Sequence, residues 1–189
     1  MRERLLKAAY AVVARRGMAR TTVEDVAREA GVGRASVYRW FPGGREELVR
    51  ETVAWETARF FLRLADAVAD AADLAEMLER GLRHAHRAVA EHEVLQRLLL
   101  TEPERLLPAI TIESDRLLPA IAAFVRPWLE RAPLRPGVDP AEAADYIAHM
   151  VLSHVSSGGS WDLDDPVAVR DLVRRELLGG VTDVTQLSP

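Results

Sequence analysis

The sequence contains no cysteine, which excludes disulfide scaffolds, thiolate zinc sites and cysteine nucleophiles. It also lacks an apolar run of the roughly 18–20 residues that a membrane-spanning helix needs. The N-terminus, MRERLLKAAYAVVARRG, carries charges on both sides of its apolar residues and has no small-residue cleavage site, which argues against a signal peptide. These absences favour a cytoplasmic protein that makes no use of a membrane.

Acidic charge is scarce in the first 50 residues, which hold 11 Lys and Arg against 6 Asp and Glu, whereas residues 51–189 hold 14 against 23. The net charge of −4 therefore conceals a basic segment joined to an acidic body. Such a split is typical of a chain that binds a polyanion at one end and has another task at the other. On charge alone, an uneven distribution without function is the alternative.

The basic segment begins with two amphipathic helices. Apolar residues at helical spacing predict the first helix over residues 2–16, and Gly17 ends it. Thr22 three residues before Asp25, or Thr21 three residues before Glu24, forms a capping pattern that starts the second helix, which ends at Gly31. The predicted inner faces are Leu5, Ala8, Ala9, Val12 and Val13 on the first helix and Val23, Val26, Ala27 and Ala30 on the second.

A third segment, RASVYRWF, follows after a short turn with two glycines. Val37 and Phe41 lie four residues apart and are predicted to face the first two helices, which leaves hydrogen-bond donors on the opposite side: Arg34, Ser36, Tyr38 and Arg39. Few buried positions and many donors suit a helix that reads bases rather than a core helix. Two short helices joined by a Gly-containing turn form a helix-turn-helix, whose second helix enters the DNA major groove.

The stretch from Leu5 to Leu48 resembles the TetR family of transcriptional regulators. The resemblance covers about a quarter of the chain and is carried by the apolar first helix ending in Arg-Gly, by TTVEDVAREAGVGRASVYRWF and by the Pro-Gly link after it. It implies an all-α fold with a helix-turn-helix domain over residues 1–44, joined by a long helix to a helical effector-binding and dimerisation domain over residues 45–189. Two departures are Gly33, where the family usually has a Ser or Thr cap, and the link PGGRE, which is one residue longer than usual.

The resemblance assigns base contacts to the third helix. It implies that Arg34, Ala35 and Arg39 face base edges and that Ser36 contacts a base or a phosphate. Residue chemistry agrees, because arginine donates two hydrogen bonds to guanine and alanine packs on a thymine methyl group. Solvated surface charge is the alternative for the two arginines.

The resemblance also assigns contacts with the DNA backbone. It implies a phosphate contact for Thr22 at the start of the second helix, and backbone contacts for Tyr38, Trp40 and Arg45. Hydroxyls and helix N-termini suit phosphate oxygens. Two alternatives stay open: Thr22 acts only as a helix cap, and Trp40 packs against the first helix.

The acidic body has helical periodicity and no convincing strand pattern. The pattern predicts helices over residues 46–70, 73–92, 94–101, 112–131, 140–156 and 165–179. Pro103 is predicted to end the helix over 94–101, and Pro108 to separate a turn from the helix over 112–131. Pro119 and Pro127 are predicted to kink or divide the helix that contains them. The tail 181–189 is predicted to fray.

The TetR resemblance implies a homodimer that pairs through the helices near 140–156 and 165–179. A buried core within one chain is the alternative for a two-helix apolar face. The residues that supply these faces are Tyr146, Ile147, Met150, Val151 and His154 on one helix and Val169, Leu172, Val173 and Leu177 on the other. A dimer matches the two half-sites of a palindromic operator.

A pocket for a small-molecule effector is expected among the inward side chains of the body. The candidates are Trp55, Phe61, Met77, His84, Phe124, Trp128, Tyr146 and Met150. Apolar lining favours a hydrophobic effector, although core packing is the alternative for each candidate. The histidine spacings match no metal site, Gly158-Gly159 does not suit a phosphate cradle, and no cofactor is predicted.

These observations predict a ligand-responsive repressor that binds double-stranded DNA as a homodimer. The first alternative is a DNA-binding dimer without small-molecule sensing. An enzyme is disfavoured, because the sequence offers no nucleophile–base pairing, no Gly-rich nucleotide loop after a strand and no metal-ligand spacing.

Overall fold

The chain is helical in a computed structural model that describes residues 1–157 and 161–183, with the backbone alone at 107–116 and Ser157. The helices are α1 Arg2–Arg16, α2 Val23–Glu29, α3 Arg34–Trp40, α4 Gly44–Val68, α5 Leu74–Ala90, α6 Glu93–Thr101, α7 Pro103–Leu129, α8 Pro140–Ser157 and α9 Pro166–Leu172. A π-helical turn, Val173–Leu177, continues α9. In the described residues β-structure is limited to an isolated bridge between Leu134 and Thr182. The predicted all-α fold class is confirmed.

The helices form two compact units, whereas the sequence places one boundary after residue 44. The N-terminal unit comprises Met1–Leu62 and His92–Glu113, and the C-terminal unit comprises Arg63–Glu91 and Ser114–Pro189. Because α4 spans residues 44–68, it begins in the N-terminal unit and ends in the C-terminal one.

The N-terminal unit is built around the faces that the apolar periodicity predicts. The predicted inner residues of α1 and α2 are all buried, and Val37, Phe41 and Leu48 complete their cluster. A smaller cluster of Val13, Met18, Leu98 and Leu106 adds α6 and the start of α7. A carboxylate from outside residues 1–44 also joins the unit, since Glu102 accepts a hydrogen bond from the backbone N–H of Ala19 at 2.7 Å.

The unusual link between α3 and α4 has a backbone reason for its second glycine. Gly44 has φ of 66° and donates its N–H to the carbonyl of Phe41 at 2.9 Å. A Cβ at this position would lie 3.3 Å from the ring of Tyr38. Only glycine adopts this left-handed turn without strain. The second glycine of the longer link therefore fixes where α4 begins, next to the ring of Tyr38.

The C-terminal unit begins three of its helices with aspartate caps. The Asp73 carboxylate accepts from the N–H of Glu76 at 2.8 Å, and the Asp165 carboxylate accepts from the N–H of Val167 at 2.9 Å. Asp139 accepts from the N–H groups of Ala141 and Glu142 at 2.9 and 3.0 Å. These bonds satisfy N–H groups that the first helical turn leaves unpaired, and they confirm the predicted starts of α5, α8 and α9.

The predictions about proline in α7 are partly wrong. The short helix α6 ends before Pro103, as the sequence predicts, but α7 begins at Pro103 rather than near residue 112 and runs on through positions 108, 119 and 127 without ending. A proline removes one helical hydrogen bond, and a helix held by packing on its other residues survives that loss. Ala122, Val125 and Leu129 supply such packing, because all three are buried.

The apolar stripe predicted as a dimer surface is largely buried within one chain. Ile147 on α8 and four residues of α9 and the π-helical turn, Val169, Leu172, Val173 and Leu177, are all 0% exposed. The interpretation of these five as a face open to a second subunit is therefore wrong, and the alternative of an intramolecular core holds. Tyr146, from the same predicted surface, remains 44% exposed.

Among residues 1–157 and 161–183, no helix is both long and apolar enough to cross a membrane. Gly158-Gly159, rejected above as a phosphate cradle, and most of the tail predicted to fray lie outside the described residues.

Candidate nucleic-acid interface

The third helix presents most of its side chains outward. Val37 is the buried residue of α3, and Phe41, which caps the helix C-terminus, is 1% exposed. The predicted division into two inward and several outward positions is therefore confirmed. The exposed residues are Arg34, Ala35, Tyr38, Arg39 and Trp40, with Ser36 half-buried.

The helix begins without a side-chain cap. Gly33 occupies the N-cap position in an extended conformation, and Gly33 offers no side-chain oxygen to the first turn. Glycine costs only a few tenths of a kcal/mol relative to a Ser or Thr cap. The first turn of α3 is therefore held by backbone bonds, among them the one from the N–H of Ser36 to the carbonyl of Gly33 at 2.9 Å.

The two candidate base-reading arginines differ in their surroundings. The Nη1 of Arg34 lies 2.8 Å from Oε1 of Glu24 on α2, and both side chains are about half exposed. Arg39 is exposed and has no hydrogen-bond or ion-pair partner within residues 1–157 and 161–183. An exposed ion pair contributes only about 0–1 kcal/mol, so Arg34 can leave Glu24 for a base edge at small cost.

Two aromatic side chains flank the arginines. Tyr38 and Trp40 are 43% and 44% exposed, and neither belongs to the core cluster of the N-terminal unit. Trp40 therefore lies outside that core, and its predicted backbone contact stays a prediction. Large exposed aromatics next to a donor-rich helix suit contact with a sugar–phosphate backbone.

Thr22 caps α2 as predicted, and it also joins a charge cluster around Asp25. Its hydroxyl accepts from the N–H of Asp25 at 3.1 Å and donates to Oδ2 of Asp25 at 2.8 Å. The other oxygen of Asp25 accepts from Arg16 at 2.7 Å and from Arg28. Asp25 is 7% exposed, so this carboxylate ties the end of α1 to the start of α2.

The Asp25 cluster makes stability depend on pH. The Thr22 hydroxyl, followed by the charges of Arg16 and Arg28, holds the pKa of the Asp25 carboxyl below its ordinary value. Because the pKa of Asp25 is lower in the folded protein than the ordinary value of about 3.9, its ionised carboxylate stabilises the fold when the pH is above that value. This contribution is lost as the pH falls through the pKa of the folded state. We expect Asp25→Asn to lower the melting temperature at pH 7 and the difference from the parent protein to shrink below pH 4. The exposed Asp66→Asn is the matched control; an equal deficit at every pH would contradict the electrostatic account.

Arg45 is committed to backbone carbonyls. Its Nε donates to the carbonyl of Thr21 at 2.8 Å and its Nη2 to that of Met18 at 2.6 Å. The side chain is half-buried. These bonds fasten the first turn of α4 to the α1–α2 loop, a positioning role that the sequence did not indicate. The predicted phosphate contact of Arg45 stays a prediction.

Replacement of Arg45 separates positioning from phosphate binding. We expect Arg45→Met to reduce the free energy of unfolding by about 1–3 kcal/mol, because two carbonyls lose charged donors. Urea denaturation measures this change, and Arg50→Met on the exposed side of α4 is expected to stay within about 0.5 kcal/mol of the parent. Unchanged stability of Arg45→Met would show that these hydrogen bonds do not position α4.

The predicted effector residues are divided between the two units. In the N-terminal unit, Trp55 packs against the core cluster and lies under the guanidinium of Arg59, and Phe61 packs edge-on against Phe60. In the C-terminal unit, Met77 is 2% exposed, and the exposed Tyr146 donates its hydroxyl to the carbonyl of Glu176 at 2.6 Å. Phe124 and Met150 are half-buried.

Two cavities of the C-terminal unit are each lined by one of the predicted residues. Trp128 lines a partly open cavity of about 190 Å³ with Leu74 and Leu178. His84 lines an open cleft of about 460 Å³. Sequence reasoning did not single out the arginines of that cleft, although the helical spacing of those on α5 was the available signal. It also did not predict the ion pairs of Glu24 and Asp25 with arginines.

Comparison with known proteins relates the segment that contains α3 to a known family. The sequence model described as bacterial regulatory proteins, tetR family, matches residues 5–52. The transcriptional regulator Rv0196 of Mycobacterium tuberculosis is 40% identical over 52 residues, 28% of this chain and 27% of the relative. The transcriptional repressor KstR2 of the same organism is 32% identical over 105 residues, 56% of this chain and 52% of the relative. The chain thus matches at most about half the length of these relatives.

Likeness to a solved structure extends over nearly the whole fold. The fatty acid degradation regulator FadR from Bacillus halodurans superposes with a TM-score of 0.58, at 20% identity, over 91% of this chain and 93% of that one. At this identity the likeness shows the fold alone. The family match covers the segment that presents α3, and both relatives are regulators. Residues 5–52, the segment that contains α3, thus match the tetR family of bacterial regulatory proteins.

Proposed function

We propose that the chain is a repressor that binds a palindromic operator as a homodimer and leaves it when a small molecule binds. The observation that carries the proposal is the outward face of α3, where, in the part of the chain that the structure describes, Arg39 is exposed without a partner and Arg34 is held only by an exposed carboxylate. A short helix of this kind fits the major groove, and guanidinium groups read guanine there. The repressor KstR2, matched over half its length, supports repression as the sign of regulation.

The homodimer follows from the geometry of operators. Two half-sites about one helical turn apart require two reading helices at fixed spacing, and a two-fold dimer supplies them. We place the pairing on the outer faces of α8 and α9, near 140–156 and 165–179. Exposed Tyr146 and Val167, which are 44% and 64% exposed, are the apolar groups available there.

Release requires the effector to prefer a dimer whose reading helices no longer match the operator. A preference of roughly 100-fold corresponds to about 2.7 kcal/mol of coupling free energy. Because α4 begins directly after the α3 link and continues to Val68, it is the candidate element for transmitting the change. The cavity lined by Trp128 suits a small apolar effector.

A DNA-binding dimer without sensing is the second candidate. It is favoured by the packing of several predicted effector residues into the cores, Met77 and Trp55 among them. A compound that changes both the melting temperature and the operator affinity separates the two candidates in favour of sensing.

Selection of bound fragments from random duplex DNA tests the proposal. We expect an enriched inverted repeat that the parent protein binds and that an Arg34→Ala, Arg39→Ala double variant does not. A screen of small apolar compounds for release of that duplex then tests the effector. Absence of any enriched sequence would contradict operator binding, whereas enrichment without release by any compound would favour the second candidate.

A further inference from the structure

The open cleft of about 460 Å³ in the C-terminal unit is strongly basic. It lies along α5 and the last turns of α4, and it is lined by Arg63, Arg80, Arg83, His84, Arg87 and Glu91 together with two alanines. Four guanidinium groups thus face one carboxylate at the lining. Like charges repel when they converge in a concave surface, so this arrangement calls for a counter-charge.

Helical spacing explains why the arginines of α5 converge. Positions 80, 83 and 87 follow one another at three and four residues and therefore share one face of the helix. Arg63 joins them from α4, four residues before Ala67, which also lines the cleft.

Neighbouring carboxylates neutralise the ends of the cleft more than its middle. Arg80 pairs with Asp70 and with Glu76, the latter at 2.5 Å. At the other end, the Nε of Arg87 lies 3.6 Å from Asp164, a carboxylate that also lies 3.8 Å from the Nε2 of His86. Both contacts of Asp164 are longer than a hydrogen bond.

Arg83 occupies the middle and carries the clearest sign of a missing acceptor. Its Nε is buried and has no hydrogen-bond partner among residues 1–157 and 161–183. A buried donor normally has a partner, and a charged donor without one is costly to the fold. An oxyanion in the cleft would accept from this group.

We propose that the cleft formed by Arg63, Arg80, Arg83 and Arg87 is a binding site for a small multivalent oxyanion. Guanidinium groups match phosphate and carboxylate oxygens with paired hydrogen bonds, and the volume lies within the range of small-molecule sites. The ligand chemistry is that of a phosphate ester or a polycarboxylate, unlike the apolar effector expected from the aromatic side chains. The site stands independently of DNA binding; only a role for its ligand in operator release would rest on the function proposed above.

Calorimetric titration of the full chain at constant ionic strength tests the site, with pyrophosphate and citrate as the two probes. We expect saturable binding of at least one probe and at least a tenfold weaker affinity in Arg83→Gln. Arg126→Gln, which removes an exposed α7 arginine paired with Glu130, is the control and should bind as the parent does. Binding of pyrophosphate alone assigns a phosphate ligand, and binding of citrate alone assigns a carboxylate ligand.

Two further measurements keep the test decisive. If Arg83→Gln does not fold, as judged by circular dichroism, the more exposed Arg87→Gln replaces it with the same expected loss. In the folded parent protein, a probe should also shift an arginine Nε–H resonance that Arg83→Gln or Arg87→Gln removes. Absence of saturable binding of both probes, or an affinity equal to the parent in the folded cleft variant, would overturn the proposal.

Discussion

Arg39→Ala is expected to weaken binding to the selected operator by about 1–3 kcal/mol, roughly 5- to 150-fold, while binding to random duplex DNA changes little. Arg39 is exposed on α3, and in the described part of the chain no carboxylate holds it. A guanidinium that reads a guanine edge contributes only at the correct base pair, so its loss relaxes specificity at that position. Fluorescence anisotropy titrations with both duplexes measure the two affinities.

The salt dependence of the same titrations gives an internal check. A base contact leaves the number of phosphate contacts unchanged, so Arg39→Ala should keep the slope of log affinity against log salt. Arg126→Ala, remote on α7, is the matched control and should bind both duplexes as the parent does. Equal losses on operator and random DNA, with a shallower salt slope, would make Arg39 a phosphate contact instead.

Phe41→Ala is expected to destabilise the N-terminal unit by about 3–5 kcal/mol. Phe41 is 1% exposed within the cluster that joins α1, α2 and α3, and removal of its ring leaves a cavity that the close-packed helices cannot fill. Urea denaturation followed by circular dichroism measures the loss. DNA affinity should fall on every sequence, because α3 loses its anchor.

The neighbouring Trp40→Ala is the control for Phe41→Ala. Trp40 is 44% exposed, so its truncation should change the free energy of unfolding by no more than about 0.5 kcal/mol. Its DNA affinity should nevertheless fall if the ring contacts the backbone. Similar destabilisation by the two substitutions would contradict the division of α3 into a buried and an outward face.

Local signals in the sequence were sufficient for the DNA-binding region. The apolar stripe of α1 and the Thr22 cap depend on residues within one or two helical turns, and the structure has both where the pattern places them. The exposed side of α3 followed from two apolar positions four residues apart. The left-handed turn at Gly44 could not be predicted from such local signals, because the glycine lies next to the ring of Tyr38, a contact that residue spacing does not reveal.

The C-terminal unit was less predictable, because periodicity indicates that a face is buried but not what covers it. The stripe of Val169, Leu172 and Val173 has the correct helical spacing, yet it packs inside the chain. Prolines likewise mark lost hydrogen bonds without showing whether packing keeps α7 intact. The positioning role of Arg45 depends on carbonyls more than 20 residues away in sequence.

Methylation interference on the selected duplex tests most directly whether α3 lies in the major groove. A methyl group at guanine N7 blocks the groove edge that an arginine reads. The account predicts interference at guanines in two symmetric half-sites, centred about one helical turn or a multiple of it apart, with weaker interference in Arg39→Ala. Tight binding that is indifferent to N7 methylation throughout the duplex would contradict it.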